Sequence, residues 1–164
     1  MSPAGTAGVP PARASTGADN TGAPPAVPAG LFVLPHALRD QLTAEARSTY
    51  PRECCGLIEG VRRGDAIEAL ALHSTRNLAD APDRFEIDPA EHLRLLRRLR
   101  GTERDIVGCY HSHPNGEPWP SPRDRDGAHD EDFVWLILGL DASATATPAG
   151  FLFRDCDFHP LKLA

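Results

Sequence analysis

His111 and His113 stand two residues apart at the end of a run, Ile106 to Tyr110, whose residues suit a strand. Alternate residues of an extended chain point the same way. Both imidazoles therefore leave the strand end in one direction. A loop stiffened by Pro114, Pro118 and Pro120 follows. Ser121-Pro122-Arg123-Asp124 then reads as a helix start, with a Ser cap, proline at the first helical position and an acid three residues after the cap. Asp124 is expected in the first turn of a helix whose N-terminus can face the histidines. Two neutral imidazoles and one carboxylate, with the fourth position open, form the ligand set of a catalytic zinc site.

The bland readings are distinct. A His-x-His pair also occurs on solvated strand ends. Ser121 can act as a cap alone, and Asp124 as a favourable charge at a helix N-terminus. What sharpens the metal reading is the complete spacing from His111 to Asp124. A hydrolytic zinc centre also needs a group that takes and returns a proton, and a carboxylate within hydrogen-bond reach serves best. Glu53, at the start of a strand-like run, is a weak nominee; Glu59, Glu117 and Asp126 rival it on composition.

The elements that must position these groups follow from pattern. Residues 1–30 are dominated by Ala, Gly and Pro, with Arg13 and Asp19 their only charges. Such a segment buries too little apolar surface to offset its ordering entropy, so it reads as a disordered tail. It lacks the basic start and apolar core of a secretory signal. Residues 31–164 read as one domain. Leu31 to Leu34 is a short first strand or entry segment. Pro35 opens a helix to about Ser48, with Leu38, Leu42, Ala46 and Tyr50 as its buried stripe. Glu53 to Gly60 and Ala66 to His73 read as a hairpin around Arg62-Arg63-Gly64-Asp65. A loop over 77–83 and a short strand over 84–87 come next. Asp88-Pro89-Ala90-Glu91 starts a helix with Leu93, Leu95, Leu96 and Leu99 as its apolar face, and Gly101 stops it. The helix after Ser121 is expected to reach about His129. Residues 133–140 read as a buried strand, 141–149 as a loop, and 150–154 with 158–163 as a closing hairpin. This order predicts an α/β fold, a mixed β-sheet with helices on both faces.

Composition excludes several functions. The net charge of −6 argues against nucleic-acid binding. The longest apolar run, Phe133 to Leu138, is far too short to span a bilayer. The four cysteines follow no framework spacing, so reduced, core-packing thiols in a cytoplasmic protein are expected. The arginines at the end of the 88–100 helix read as a solvated face, and His36, His73, His92, His129 and His159 as surface or satisfied core residues. Nothing in the pattern sets an oligomeric state.

With these motifs in view, the chain resembles the JAMM (MPN-plus) zinc metallopeptidases, and most of all their small prokaryotic branch. The likeness rests on His111-Ser112-His113-Pro114, Ser121 and Asp124, preceded by Glu53-Cys54-Cys55-Gly56-Leu57-Ile58-Glu59-Gly60, and it covers roughly Leu31 to Leu163. Asn77, Phe85 and Asp88-Pro89 also resemble that branch. The resemblance implies an α/β sandwich of cytidine-deaminase-like kind. It implies one Zn2+ held by His111, His113 and Asp124, with Glu53 as general base and then acid, and Ser121 donating to the oxyanion. It implies cleavage after the C-terminal Gly-Gly of a ubiquitin-like or sulfur-carrier protein. An extended Gly-Gly tail could thread a narrow groove and pair with a sheet edge. Room is short for the large insertions of eukaryotic deubiquitinating members.

Rival readings lack their own marks. Zinc deaminases carry His-x-Glu and Pro-Cys-x-x-Cys, and neither is present. An iron oxygenase would use a similar ligand set, but no cosubstrate site is evident. Amidohydrolase-type barrels need at least about 200 residues. The alternative from another class is a non-catalytic MPN-type binding module, which would be expected to have lost ligands that this chain retains.

Overall fold

The computed structural model describes residues 30–164, so the expected tail lies outside the described residues, apart from Gly30. Seven strands and three helices follow one another as β1 (Leu31–Val33), α1 (His36–Thr49), β2 (Cys55–Arg63), β3 (Ala66–Thr75), α2 (Pro89–Leu99), β4 (Asp105–His113), α3 (Pro122–Gly127), β5 (Phe133–Leu140), β6 (Ala146–Arg154) and β7 (Asp157–Leu163). The strands close into a barrel in the order β1-β3-β2-β4-β5-β6-β7. The expected mixed β-sheet is present, but it closes into a barrel-like sheet instead of lying between helices as a sandwich. The closure comes from β1, which pairs in parallel with β3 through Leu31↔Ala66 and with β7 through Phe32↔Leu163. Every described strand thus has a neighbour on each side, but β1 covers only Ala66 to Glu68 of β3 and Lys162 to Leu163 of β7, so the outer side of β3 from Ala69 to Thr75 has no described strand beside it.

Mixed α/β character holds, and apolar clusters lie against both faces of β5. Val134, Leu136 and Leu138 pack in one cluster with Leu42 and Ala46 of α1. Trp135 and Ile137 pack in the other with Leu95 and Leu99 of α2. All eight residues of β5 are buried, which is why it reads as a continuous apolar run instead of an alternating one. Asp88 caps α2 by accepting from Ala90 N at 2.8 Å, and Gly101, at φ +80, leaves the helix in the left-handed region that glycine reaches without cost.

Several expected boundaries move. Residues 84–87 form no strand, only a single bridge between Asn77 and Ile87. β6 starts at Ala146, inside the expected loop, because its register with β5 runs back to Leu140. α3 stops at Gly127, short of His129. Leu93 is 48% exposed; the buried face of α2 is His92, Leu95 and Leu99. Tyr50 is also exposed, because the chain turns extended there and leaves the stripe of α1. Cys54, Cys55 and Cys109 are buried as expected, but Cys156 is exposed in the β6–β7 turn.

Glu59 is no candidate base. The ladder of β2 shifts register on both sides at this residue, and a bulge re-aims a side chain. Its buried carboxylate accepts from Arg104 at 2.8 Å and Arg98 at 3.0 Å, and lies 2.8 Å from His73 Nε2. Burial pushes Glu59 upward, but the hydrogen bonds and charges of Arg104 and His73 outweigh it and hold the carboxyl below its usual value. A lowered folded value means that the stabilisation is full above the unfolded value of about 4.3 and is lost as pH falls through the folded one. Chemical denaturation of the parent and Glu59→Gln across pH should show a stability gap that is widest above about pH 4.3 and closes below it. A gap that does not change with pH would mean the carboxylate is not held this way.

Candidate metal centre and catalytic cleft

The register of β2 against β4 builds the site. Cys55 stands opposite His111. The pairing continues one step beyond the ladder, where Ser112 N donates to Cys54 O at 3.1 Å and Cys54 N donates to Ser112 Oγ at 2.9 Å. The next residue back on that side is Glu53, which the antiparallel course carries toward His113. Ser112, pointing opposite to the two histidines, therefore ties the strand that carries the ligands to the segment that carries Glu53.

The parallel partner β5 ends at the same place, with His113 opposite Gly139. A Cβ on Gly139 would lie 2.2 Å from Gly116 O, so only glycine lets the 114–120 loop pack onto this strand. The loop is further pinned where His113 Nδ1 meets Glu117 O at 2.8 Å. It is a docked wall of the cleft, and it displays Trp119, 60% exposed, edge-on to Phe151 at 6.0 Å between centroids.

Three ligand-type side chains converge. His111 Nε2 and His113 Nε2 are 2.9 Å apart, and each lies 3.2 Å from an oxygen of Asp124, Oδ1 and Oδ2 respectively. All three residues are buried, and their donor atoms fall within 4.8 Å of one another, close enough to hold a metal ion. The donor chemistry fits such an ion. The Glu117 carbonyl can only accept, so His113 carries its proton on Nδ1 and turns the Nε2 lone pair to the centre, the usual arrangement behind a metal-binding histidine. His111 is oriented differently. Its ring stacks on Phe85 at 4.2 Å and meets Trp135 edge-on at 5.9 Å, and its Nδ1 has no hydrogen-bond partner among the described residues.

Asp124 is set by a capping box. Ser121 Oγ accepts from Asp124 N at 3.1 Å, and Asp124 Oδ2 accepts from Ser121 N at 2.6 Å. Burial pushes the Asp124 carboxyl upward, but the charge of His111 and hydrogen bonds from both histidines and Ser121 hold it far below the ordinary range. Burial pushes the His111 imidazole down. It also opposes charging of His113, but there Asp124 and the Glu117 carbonyl prevail and the value rises.

Glu53 is 6% exposed and lines a cleft of about 490 Å³ together with His113, Trp119, Ser121 and Arg123. Burial pushes its carboxyl up to about 8, against a smaller opposite effect of His113. A cation held beside it would work against that rise. Of the rivals, Glu117 lines the cleft with an exposed side chain, and Asp126 is exposed on α3. The structure thus brings together all five residues singled out in the sequence.

Two supporting residues carry no such pattern. Asn77 Nδ2 donates to Glu53 O at 3.0 Å and Arg84 O at 2.8 Å, while its Oδ1 accepts from Ala79 N and Glu86 N. One amide thus knots the 77–86 loop and holds the start of β2. Phe85 reaches His111 from the same loop. Both were visible only through family likeness, because each acts across the loop and not along a repeat. His92, expected to be a surface or satisfied core residue, is buried with Nε2 lacking a hydrogen-bond partner among the described residues.

A family model described as prokaryotic homologs of the JAB domain matches residues 35–151. A desampylase of Haloferax volcanii is 36% identical over 113 residues, covering 66% of this chain and 80% of that protein. A CysO-cysteine peptidase of Mycobacterium tuberculosis is 27% identical over 108 residues, covering 66% and 73%. A solution structure of a protein from Desulfitobacterium hafniense superposes with a TM-score of 0.71 at 27% identity, covering 82% of this chain and 91% of that one. With the matched span running from the start of α1 into β6 and holding every residue of the site, the chain belongs to the prokaryotic JAB-domain family, within the JAMM/MPN group.

Proposed function

We propose that this protein is a zinc-dependent peptidase or isopeptidase that hydrolyses the bond after the C-terminal Gly-Gly of a ubiquitin-like or sulfur-carrier protein. The observation that carries the reading is the buried His111-His113-Asp124 group beside a buried Glu53, both opening to one cleft. Relatives support the substrate class by their names, a desampylase, a CysO-cysteine peptidase and a probable TtuB-protein conjugate cleaving protease of Thermus thermophilus. His111, His113 and Asp124 hold one Zn2+, which when bound supplies Lewis acidity and lowers the pKa of a water to about 7.

The chain's own groups do the rest. Glu53 takes a proton from the attacking water as C–O forms at the carbonyl carbon, and returns it to the leaving nitrogen as the resulting oxyanion collapses and C–N breaks. Ser121 Oγ accepts from Asp124 N, and its own O–H is the group that donates to the developing oxyanion. The carrier's tail lies in the cleft, between the 114–120 wall and Asp83 of the 77–88 loop. The free cysteines accord with a cytoplasmic location, part of the same proposal. No helix among the described residues is long and apolar enough to cross a membrane.

The test is intact mass on a Gly-Gly-tailed carrier bearing a C-terminal extension, with zinc-loaded parent beside Glu53→Gln. Trimming to Gly-Gly by the parent alone is expected; no trimming at one equivalent of zinc would overturn the substrate class. Ser121→Ala should slow turnover about 10²–10³-fold, the cost of one oxyanion donor. It should also lower stability by about 1 kcal/mol through the lost cap. Lower stability with unchanged turnover would leave Ser121 a cap only.

A further inference from the structure

The metal ligands, Glu53 and Ser121 account for cleavage but not for what the cleft accepts beyond the broken bond. Its lining is electrically lopsided. Glu53, Asp83 and Glu117 bring carboxylates, and Arg123 is the only arginine or lysine among the lining residues. Arg123 stands between Ser121 and Asp124 on the first turn of α3, with its side chain 46% exposed. It is held, not swinging. Nη1 donates to the backbone oxygen of Asp83 at 3.2 Å and to its Oδ2 at 2.5 Å. Both of these bonds use one nitrogen of the guanidinium fork. Its other edge keeps the paired donors that match a carboxylate.

The side of the cleft follows from Glu53. Arg123 and Asp83 line the same cleft as Glu53, and Glu53 is the group that returns the proton to the leaving nitrogen. The leaving residue thus begins at Glu53 and extends toward the Asp83–Arg123 pair. An amino acid released from a peptide bond carries its α-carboxylate two bonds from that nitrogen. A lysine side chain released from an isopeptide bond carries no charge there.

We propose that Arg123, positioned by Asp83, receives the free α-carboxylate of a single amino acid attached behind the Gly-Gly, making a terminal amino acid the preferred leaving group over a lysine-linked protein. The inference rests on the function proposed above and names the specificity of that same site. Arg123 carries the one guanidinium among the lining residues that can give an incoming carboxylate charge-assisted hydrogen bonds.

The experiment uses one Gly-Gly-tailed carrier extended by one residue, made as the free acid and as the C-terminal amide. Zinc-loaded parent and Arg123→Gln are compared by kcat/KM. Affinity for both substrates is measured on Glu53→Gln and on Glu53→Gln/Arg123→Gln. The parent should prefer the acid on the order of tenfold, the scale of a partly exposed charged hydrogen bond. Arg123→Gln should bring the acid-to-amide ratio near one, in rate and in affinity alike. Equal rates on acid and amide by the parent would overturn the inference and leave the proposed function standing. So would a variant that slows both substrates by the same factor, as a purely structural latch would. Cleavage of neither by the parent would overturn both.

Discussion

A His113→Ala protein should emerge with zinc at background level and no measurable hydrolysis. Each of the three side chains supplies one donor atom to a cluster spanning 4.8 Å. Removing one leaves two, and a structural or catalytic zinc site needs at least three protein ligands. The loss reaches further, because Asp124 is buried and His113 is one of the partners that keep its charge tolerable. Breaking a buried charged pair from one side costs about 3–5 kcal/mol. Metal content by elemental analysis and a melting curve would check both effects. The parent should also lose thermal stability on chelation, since an ion bound only by the folded state stabilises it by mass action, and His113→Ala should not respond. Equal zinc in variant and parent would remove His113 from the ligand set.

Glu53→Gln should keep zinc and fold while losing about 10²–10⁴-fold in kcat, the range attributed to general acid–base catalysis. The amide matches the carboxylate in shape and cannot take a proton. Glu53 touches the rest of the chain mainly through its backbone, whose carbonyl accepts from Asn77, so the side-chain change leaves that anchor in place. Because burial favours the neutral form of this side chain, the variant should be no less stable than the parent. Metal content, a melting curve and single-turnover rates separate these expectations. A fully active variant would pass the role to Glu117, the remaining rival in the cleft. A parent that binds zinc and a carrier but cleaves nothing would favour the binding-module alternative.

What could be read in advance was what is local. His111, His113, Ser121 and Asp124 lie within one strand, loop and helix start, and each is placed by short-range rules, alternation for the strand and capping for the helix. The capping box at Ser121 and Asp124 appears as its residue types require. Glu53 was different. Its place depends on a register between β2 and β4, more than fifty residues apart, and composition alone could not separate it from Glu59, Glu117 or Asp126. A bulge at Glu59 and three cationic or imidazole partners decide that residue's role, and none of these has a sequence signature. Barrel closure was hidden for a similar reason. It depends on β1, three residues long, whose parallel pairings with β3 and β7 are set only once the whole chain is assembled. Leu93 shows the limit of reading a helix face by residue type, since His92 occupies the inward position that an apolar residue was expected to fill.

The closed sheet bears on how this protein behaves in crowded solution. An open strand edge is a template on which other chains can add, and many β-proteins must guard it with charges, prolines or covering loops. Here the described strands follow one another all the way round, so the native fold confines any backbone template to the stretches that the short β1 leaves uncovered, β3 from Ala69 and β7 before Lys162. Its weakest seam is the short pairing of β1 with β7, Leu31↔Lys162 and Phe32↔Leu163. Aggregation at native pH should therefore track the opening of that seam, and variants that tighten it should delay aggregation even where the global melting temperature hardly moves.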